Sequence, residues 1–199
     1  MASGPSATYS TIDVSTLSPY LRRRLISENE VLEIALRNNT PSSLEKFIQE
    51  IFWRTYWRGW LEMRHDVYQD YANAQNETDF PGKTGIKCFD HWTEELIETG
   101  YLHNHARMWY ASIWIFTLRK IWFSGANFFK DHLLDWCPAS NTLGWRWVAG
   151  LQTRGKIYSA KADNIKVFTN NRFFPKGKLN ESPVFDEATW KTFNSSSDK

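Results

Sequence analysis

The chain's 199 residues carry 24 Lys and Arg against 22 Asp and Glu, and the resulting net charge of +2 is too small to announce a nucleic-acid partner, so any DNA binding needs a local patch. The length suits one domain with a sizeable core; Cys88 and Cys137 form neither a disulfide framework nor a zinc spacing, and no basic-then-apolar signal segment opens the chain, which fits a reducing, cytoplasmic setting. The longest apolar run, Met108 to Leu118, is eleven residues and ends at Arg119-Lys120, well short of the roughly 20 that a bilayer crossing needs, so no membrane partner is expected.

Residues 1–8 read as a flexible terminus. Ser18-Pro19 has the form of an N-cap followed by proline at the first helical position, and Ser27-x-x-Glu30 is a capping box before VLEIAL, so two helix starts follow one another. Ser42-x-x-Glu45 opens a longer amphipathic helix, FIQEIFWRTYWRGWLEM, and Gly100 ends one that runs from about Ile86 through EELIET. Further helices are expected from His103 to Phe123, from Ser124 or Gly125 to Leu134, and from Leu143 to Ala149. After Gly150 the pattern weakens into short helical or extended possibilities with Asn-Asn and Pro turns, and residues 194–199 read as a disordered tail. Residues 9–193 are thus expected to form a single all-α domain.

Two patterns suggest chemistry that the spacing does not support. Pro81-Gly82-Lys83-Thr84-Gly85 contains the GKT of a phosphate loop, but the earlier glycine such a loop requires falls at position 77, which is Glu77. His103 and His105 are two apart, on different faces of a helix, and no third ligand is near, so no metal site is expected.

On the helix from Ser42, Glu50, Trp53, Arg54 and Trp57 share one stripe, while Leu44, Phe47, Ile48, Ile51 and Phe52 can serve the core. That stripe is either a solvated face held by a Glu50–Arg54 ion pair or part of a site. On the helix from His103, Asn104, Arg107 and Met108 share a face, and Asp135 is an obvious carboxylate partner for Arg107. The segment Asp135 to Trp147, DWCPASNTLGWRW, sets indoles beside Asn, Arg and Asp in a chain with eleven tryptophans. An indole can pack in a core, stack on a ring or pass an electron.

Five ordered stretches carry a resemblance. LSPYL (Leu17 to Leu21), QEIFWRTYWRGW (Gln49 to Trp60), GKTGIKCFDHW (Gly82 to Trp92), GYLHNHARMWYAS (Gly100 to Ser112) and LLDWCPASNTLGWRWVAG (Leu133 to Gly150) look like the FAD-binding domain of the photolyase/cryptochrome family, closest to the cyclobutane-dimer branch. The family's N-terminal antenna domain has no counterpart here, so a shortened catalytic domain without an antenna chromophore is expected.

The resemblance implies a folded FAD in an all-helical cavity. By matching positions, Ser15, Thr16, Leu17 and Ser18 would hold its phosphates, and Phe47, Glu50, Arg54, Tyr101, Asn104, Arg107, Asp135, Cys137 and Asn141 would line the rest, with Asn141 facing N5. It also implies the repair of DNA containing pyrimidine dimers, single- or double-stranded. Reduced, light-excited flavin lends the flipped-out dimer an electron. Glu50 would hydrogen-bond the dimer, Trp53 and Trp147 would pack on its bases, and Asn104, His105 and Met108 would complete the pocket. Met108 stands where the branch that repairs the other major pyrimidine photoproduct carries a histidine, which points to cyclobutane dimers. Trp145 would be the flavin-proximal and Trp122 the middle member of a tryptophan chain that photoreduces FAD, with Tyr68, Tyr71, Trp57 or Trp60 as candidates for the outer member.

The chain departs from the family at Arg24 and Leu143, where glycine is usual, at Cys137, where an acid is common, and at His105, where bacterial enzymes often have arginine. The alternatives to repair are a cryptochrome-like blue-light receptor and a degenerate flavoprotein.

Overall fold

Aromatic side chains decide how this chain packs, and the computed structural model describes residues 15–73 and 79–194 of it. Among the described residues there are ten α-helices and no strand: α1 (Ser18–Arg22), α2 (Glu28–Asn38), α3 (Glu45–Glu62), α4 (His65–Asn73), α5 (Lys87–Thr99), α6 (Asn104–Ser112), α7 (Trp122–His132), α8 (Pro138–Val148), α9 (Ala162–Phe168) and α10 (Glu187–Asn194). The all-α expectation holds. The expected flexible termini and Glu77 lie outside the described residues, except Asn194, which closes α10.

Local chemistry explains several helix ends. Ser27 forms its capping box, its hydroxyl accepting the Glu30 N–H at 3.2 Å while Glu30 accepts the Ser27 N–H at 2.8 Å. Two other expected starts shift. Leu17 rather than Ser18 precedes α1, and Ser18 makes no cap bond. At Ser42 the chain first makes a 3₁₀ turn, Pro41–Leu44, in which the Ser43 hydroxyl donates to Thr40 O at 2.8 Å and the Thr40 and Ser42 hydroxyls lie 3.2 Å apart. Those hydroxyls serve the turn, so no capping box forms and α3 begins at Glu45. Gly100 ends α5 at φ +68, and a Cβ there would lie 2.5 Å from Leu134 Cγ, so glycine is required for conformation and for space.

The single helix expected from His103 to Phe123 is broken. After α6 comes a π-helical turn, Ile113–Thr117, then a reversal with Arg119 at φ +54, and Trp122 opens α7 ahead of the expected Ser124 or Gly125. Trp114 stabilises the reversal: its indole N–H donates to Ile121 O at 3.0 Å and its carbonyl accepts the Lys120 N–H at 3.1 Å. Hydrophobicity on both sides of the break hid it, because both flanks are core. α8 starts at Pro138, well before Leu143, since proline suits a first turn whose N–H has no helical partner. α4 lies where no helix was expected.

The GKT loop turns inward. Thr84 donates through N and Oγ1, at 2.9 and 2.7 Å, and Gly85 through N, at 3.0 Å, to the Asp90 carboxylate, so an internal acid occupies these donors.

Trp92, Trp109, Trp114, Tyr110, Phe89 and Phe128 are fully buried, with Phe89 stacked on Tyr110 at 4.2 Å and Trp92 on Trp109 at 5.6 Å. α7 and α8 approach closely because Gly125 lacks a side chain: a Cβ there would sit 2.3 Å from Trp145 Cη2 and 2.9 Å from Trp114 Cε2. α8 also packs on α3, α4 and α6, which makes it the hub of the domain. Beyond it, α9 joins the core where Trp109 Nε1 donates to Asn164 Oδ1 at 3.0 Å, and Asn170 and Asn171 form the expected turn at φ +51 and +63. No helix among the described residues is long and apolar enough to cross a membrane.

Candidate functional site

α3, α6, α8 and the α7–α8 connection enclose a cavity of about 790 Å³, in the size range of cofactor sites. α3 lends it Glu50, Trp53 and Arg54. Trp53 is 47% exposed and stacks on Trp57 at 5.5 Å, with Tyr56 edge-on to it at 5.4 Å. The Glu50–Arg54 pair does not form; Arg54 Nε reaches Glu28 Oε1 of α2 at 3.3 Å, so Glu50 stays an exposed carboxylate at the cavity. Phe52 also leaves its expected core role and is 58% exposed, because the buried face of α3 runs through Ile51.

From α6 come Asn104, Arg107 and Met108, together on one face as their spacing predicts. Arg107 Nη2 donates to Asp135 Oδ2 at 2.9 Å and Arg107 Nε to Leu102 O at 2.8 Å, so the guanidinium is fixed from two directions. Tyr101 lies beneath that guanidinium, 5.5 Å from ring centroid to Cζ, and outside the cavity lining. Burial pushes its phenol pKa up, with Arg107 opposing.

α8 supplies Asn141, Trp145 and Trp147, and Cys137 precedes its first turn. Asn141 is anchored by its Nδ2 donating to Ala126 O at 2.9 Å. Trp145 is 2% exposed and edge-on to Trp114 at 6.2 Å and to Phe129 at 5.1 Å. Trp147 leans on Tyr158 at 5.4 Å.

Several expected site residues lie elsewhere. Of the four N-terminal residues only Ser18 reaches the cavity; Ser15 and Thr16 are exposed, and Leu17 is half-buried. Phe47 is half-buried on α3 outside the lining. His105 stacks on Trp109 at 5.5 Å and contacts Phe168 of α9, away from the lining. His103 Nδ1 accepts the His105 N–H at 3.2 Å, which caps α6, and burial lowers its pKa from 6.5 to about 4, with His105 and Arg107 adding to the effect. Trp122, also outside, is buried and stacked on Tyr71 at 5.6 Å, and Tyr71 lies 5.9 Å from Tyr68.

Sequence reasoning missed Tyr56, Trp136, Gly144 and Gln152, all of which line the cavity. It placed Trp57 on the stripe of Trp53 but named Trp60 only as an electron carrier, although its i+7 spacing from Trp53 puts it on that stripe, and both line the cavity. Gln152 follows the last turn of α8 and gave no signal.

Four buried polar atoms of residues that line the cavity have no hydrogen-bond partner among the described residues: Asp135 Oδ1, Trp136 Nε1, Trp145 Nε1 and Gln152 Oε1. Two donors and two acceptors held out of water are the pattern that a heterocyclic ligand satisfies. A smaller pocket of about 330 Å³ adjoins the cavity through Arg54 and Cys137, and Arg22, Arg24 and Arg58 also line it, a cation density suited to phosphates.

The profile of the FAD binding domain of DNA photolyase matches residues 47–173. The chain belongs to this family. The deoxyribodipyrimidine photo-lyase of Streptomyces griseus is 30% identical over 175 residues, 76% of this chain and 38% of that protein. That of Agrobacterium fabrum is 31% identical over 151 residues, 68% of this chain and 32% of that protein. The chain thus spans about two fifths or less of the length of these photo-lyases. A bacterial class III photolyase from Agrobacterium tumefaciens shares the fold, with a TM-score of 0.57 at 21% identity, covering 94% of this chain and 50% of that one. FAD is the cofactor of this photolyase domain, and the unpartnered polar atoms and the adjoining arginines fit it.

Proposed function

We propose that this domain is a light-dependent DNA photolyase that splits cyclobutane pyrimidine dimers, with FAD and lesion sharing the 790 Å³ cavity. The observation that carries the reading is the meeting of two residue sets in one enclosure: Arg107, Asp135, Cys137 and Asn141 as a cofactor shell, and Glu50, Trp53, Asn104, Met108 and Trp147 as a lesion pocket. Bound FAD supplies, when reduced and excited by blue light, one electron that is lent to the dimer and returned after its two cross-links break, so the reaction has no net redox change.

The protein's work is placement and electrostatics. Arg107, fixed by Asp135 and Leu102 O, sets a cation beside the ring site without its own reorganisation. Glu50 is free to accept hydrogen bonds from a flipped base, because Arg54 is engaged with Glu28. Trp53 and Trp147 offer indole faces to the two bases, and the exposure of Trp53 leaves that side of the cavity open to a flipped nucleotide. Trp145 is the inner electron donor for photoreduction. Trp122 carries the oxidation onward, and its stacking on Tyr71 favours a tyrosine route toward Tyr68.

The test is to purify the chain, record its flavin absorption, and follow dimer splitting in single- and double-stranded DNA under blue light. Flavin with light-dependent splitting is the expected result. Flavin without splitting in either substrate eliminates repair and leaves the cryptochrome-like reading.

A further inference from the structure

Trp136 joins Asp135 to Cys137 on the cavity wall and has no role in the reading above. It is held firmly in place. Its carbonyl accepts Arg22 Nε at 2.5 Å, and its ring lies 6.0 Å from both the Arg22 guanidinium carbon and Lys130 Nζ. Its indole N–H is nevertheless buried without an acceptor among the described residues, in a residue that lines the cavity.

Indole is a donor only, so this N–H can be satisfied by an acceptor and nothing else. The flavin ring carries two carbonyl oxygens and unprotonated ring nitrogens against a single N–H, so acceptors dominate its polar edge. Neighbouring Cys137 brings only weak hydrogen-bonding capacity, and the Asp135 charge is met by Arg107. The Trp136–Cys137 pair therefore adds a donor to the wall and no anion.

We propose that Trp136 Nε1–H donates a hydrogen bond to an acceptor atom of the flavin ring and favours the reduced, negatively charged form of the cofactor. This rests on the cavity being the FAD site. A hydrogen bond strengthens when its acceptor gains negative charge, so the donor holds the reduced ring more tightly than the oxidised one and raises the midpoint potential. Trp136 is a positioning and tuning residue for the cofactor, distinct from the electron donor Trp145.

Trp136→Phe keeps a ring and removes the N–H. The FAD dissociation constant of the purified variant, from equilibrium ultrafiltration, is expected to rise about tenfold, the equivalent of about 1.4 kcal/mol, and the flavin midpoint potential to fall below the parent's. Parent-like affinity and potential overturn the proposal. So does weaker binding at an unchanged potential, which makes the indole a packing group or a contact to the nucleotide half of FAD. If the phenylalanine variant does not fold, benzothienylalanine at position 136, with sulfur in place of the N–H, gives the same comparison with the ring shape kept. A parent that binds no FAD overturns the cavity reading and this role together, whereas a FAD-binding parent with an indifferent variant overturns this role alone.

Discussion

Arg107 and Asp135, 28 residues apart in the chain, meet at 2.9 Å and leave the second carboxylate oxygen of Asp135 buried and without a partner among the described residues. One acid thus fixes the guanidinium and keeps an acceptor in reserve. Removing one partner of a buried pair costs about 3–5 kcal/mol. The Arg107 side chain is 24% exposed, so solvent discounts that figure. Asp135→Ala is expected to lose about 2–3 kcal/mol of stability, read by urea denaturation, and to purify without flavin. A variant with parent-like stability and flavin content would show that the pair is incidental.

Gly125 tests the packing of α7 on α8. Alanine favours a helix over glycine by about 1 kcal/mol, but its Cβ would fall 2.3 Å from Trp145 Cη2, and two rigid indoles have little room to yield. Overpacking costs about 1–3 kcal/mol, and the clash is expected to win. Gly125→Ala should lower the melting temperature and slow photoreduction by displacing Trp145; an unchanged or raised melting temperature contradicts this packing.

Much of this arrangement was legible in the sequence, and the misreadings share physical causes. The spacing of Asn104, Arg107 and Met108 and the capping box of Ser27 are local signals, and both hold in three dimensions. The Glu50–Arg54 pair was equally local, yet Arg54 turns to Glu28 because the first residue of α2 comes within reach of it, a tertiary fact with no local trace. The break between α6 and α7 was hidden because apolar stretches flank it and no glycine or proline marks the turn, which is anchored by the Trp114 N–H on Ile121 O across Arg119-Lys120. His105 reads as a substrate contact by position, while the structure stacks it on Trp109 because α9 brings Phe168 against it.

His103 gives the fold a pH dependence. Above about pH 6.5 its imidazole is neutral whether the chain is folded or not; between about 6.5 and about 4 the unfolded chain takes a proton that the folded one refuses. Stability attributable to this group therefore falls as pH drops through that window and levels off below it. His103→Asn keeps a side-chain acceptor for the His105 N–H and removes the titration. The variant's melting temperature should drop less than the parent's between about pH 7 and about pH 4.5; equal drops would place the dependence elsewhere.

Trp145→Phe removes the inner indole. Photoreduction of oxidised FAD should be lost, while dimer splitting after chemical reduction of the flavin should persist. Equal photoreduction rates in variant and parent would refute the role of Trp145.

Glu50→Ala separates the proposed lesion pocket from the proposed cofactor shell, because Glu50 is exposed at the cavity and forms no ion pair with Arg54. A hydrogen bond to a charged group contributes about 1.5–3 kcal/mol, so the blue-light repair yield of the reduced variant is expected to fall roughly tenfold to a hundredfold while its flavin absorption matches the parent's. Loss of flavin together with repair, or repair at the parent's level, would contradict the sharing of this cavity between FAD and a dimer held by Glu50.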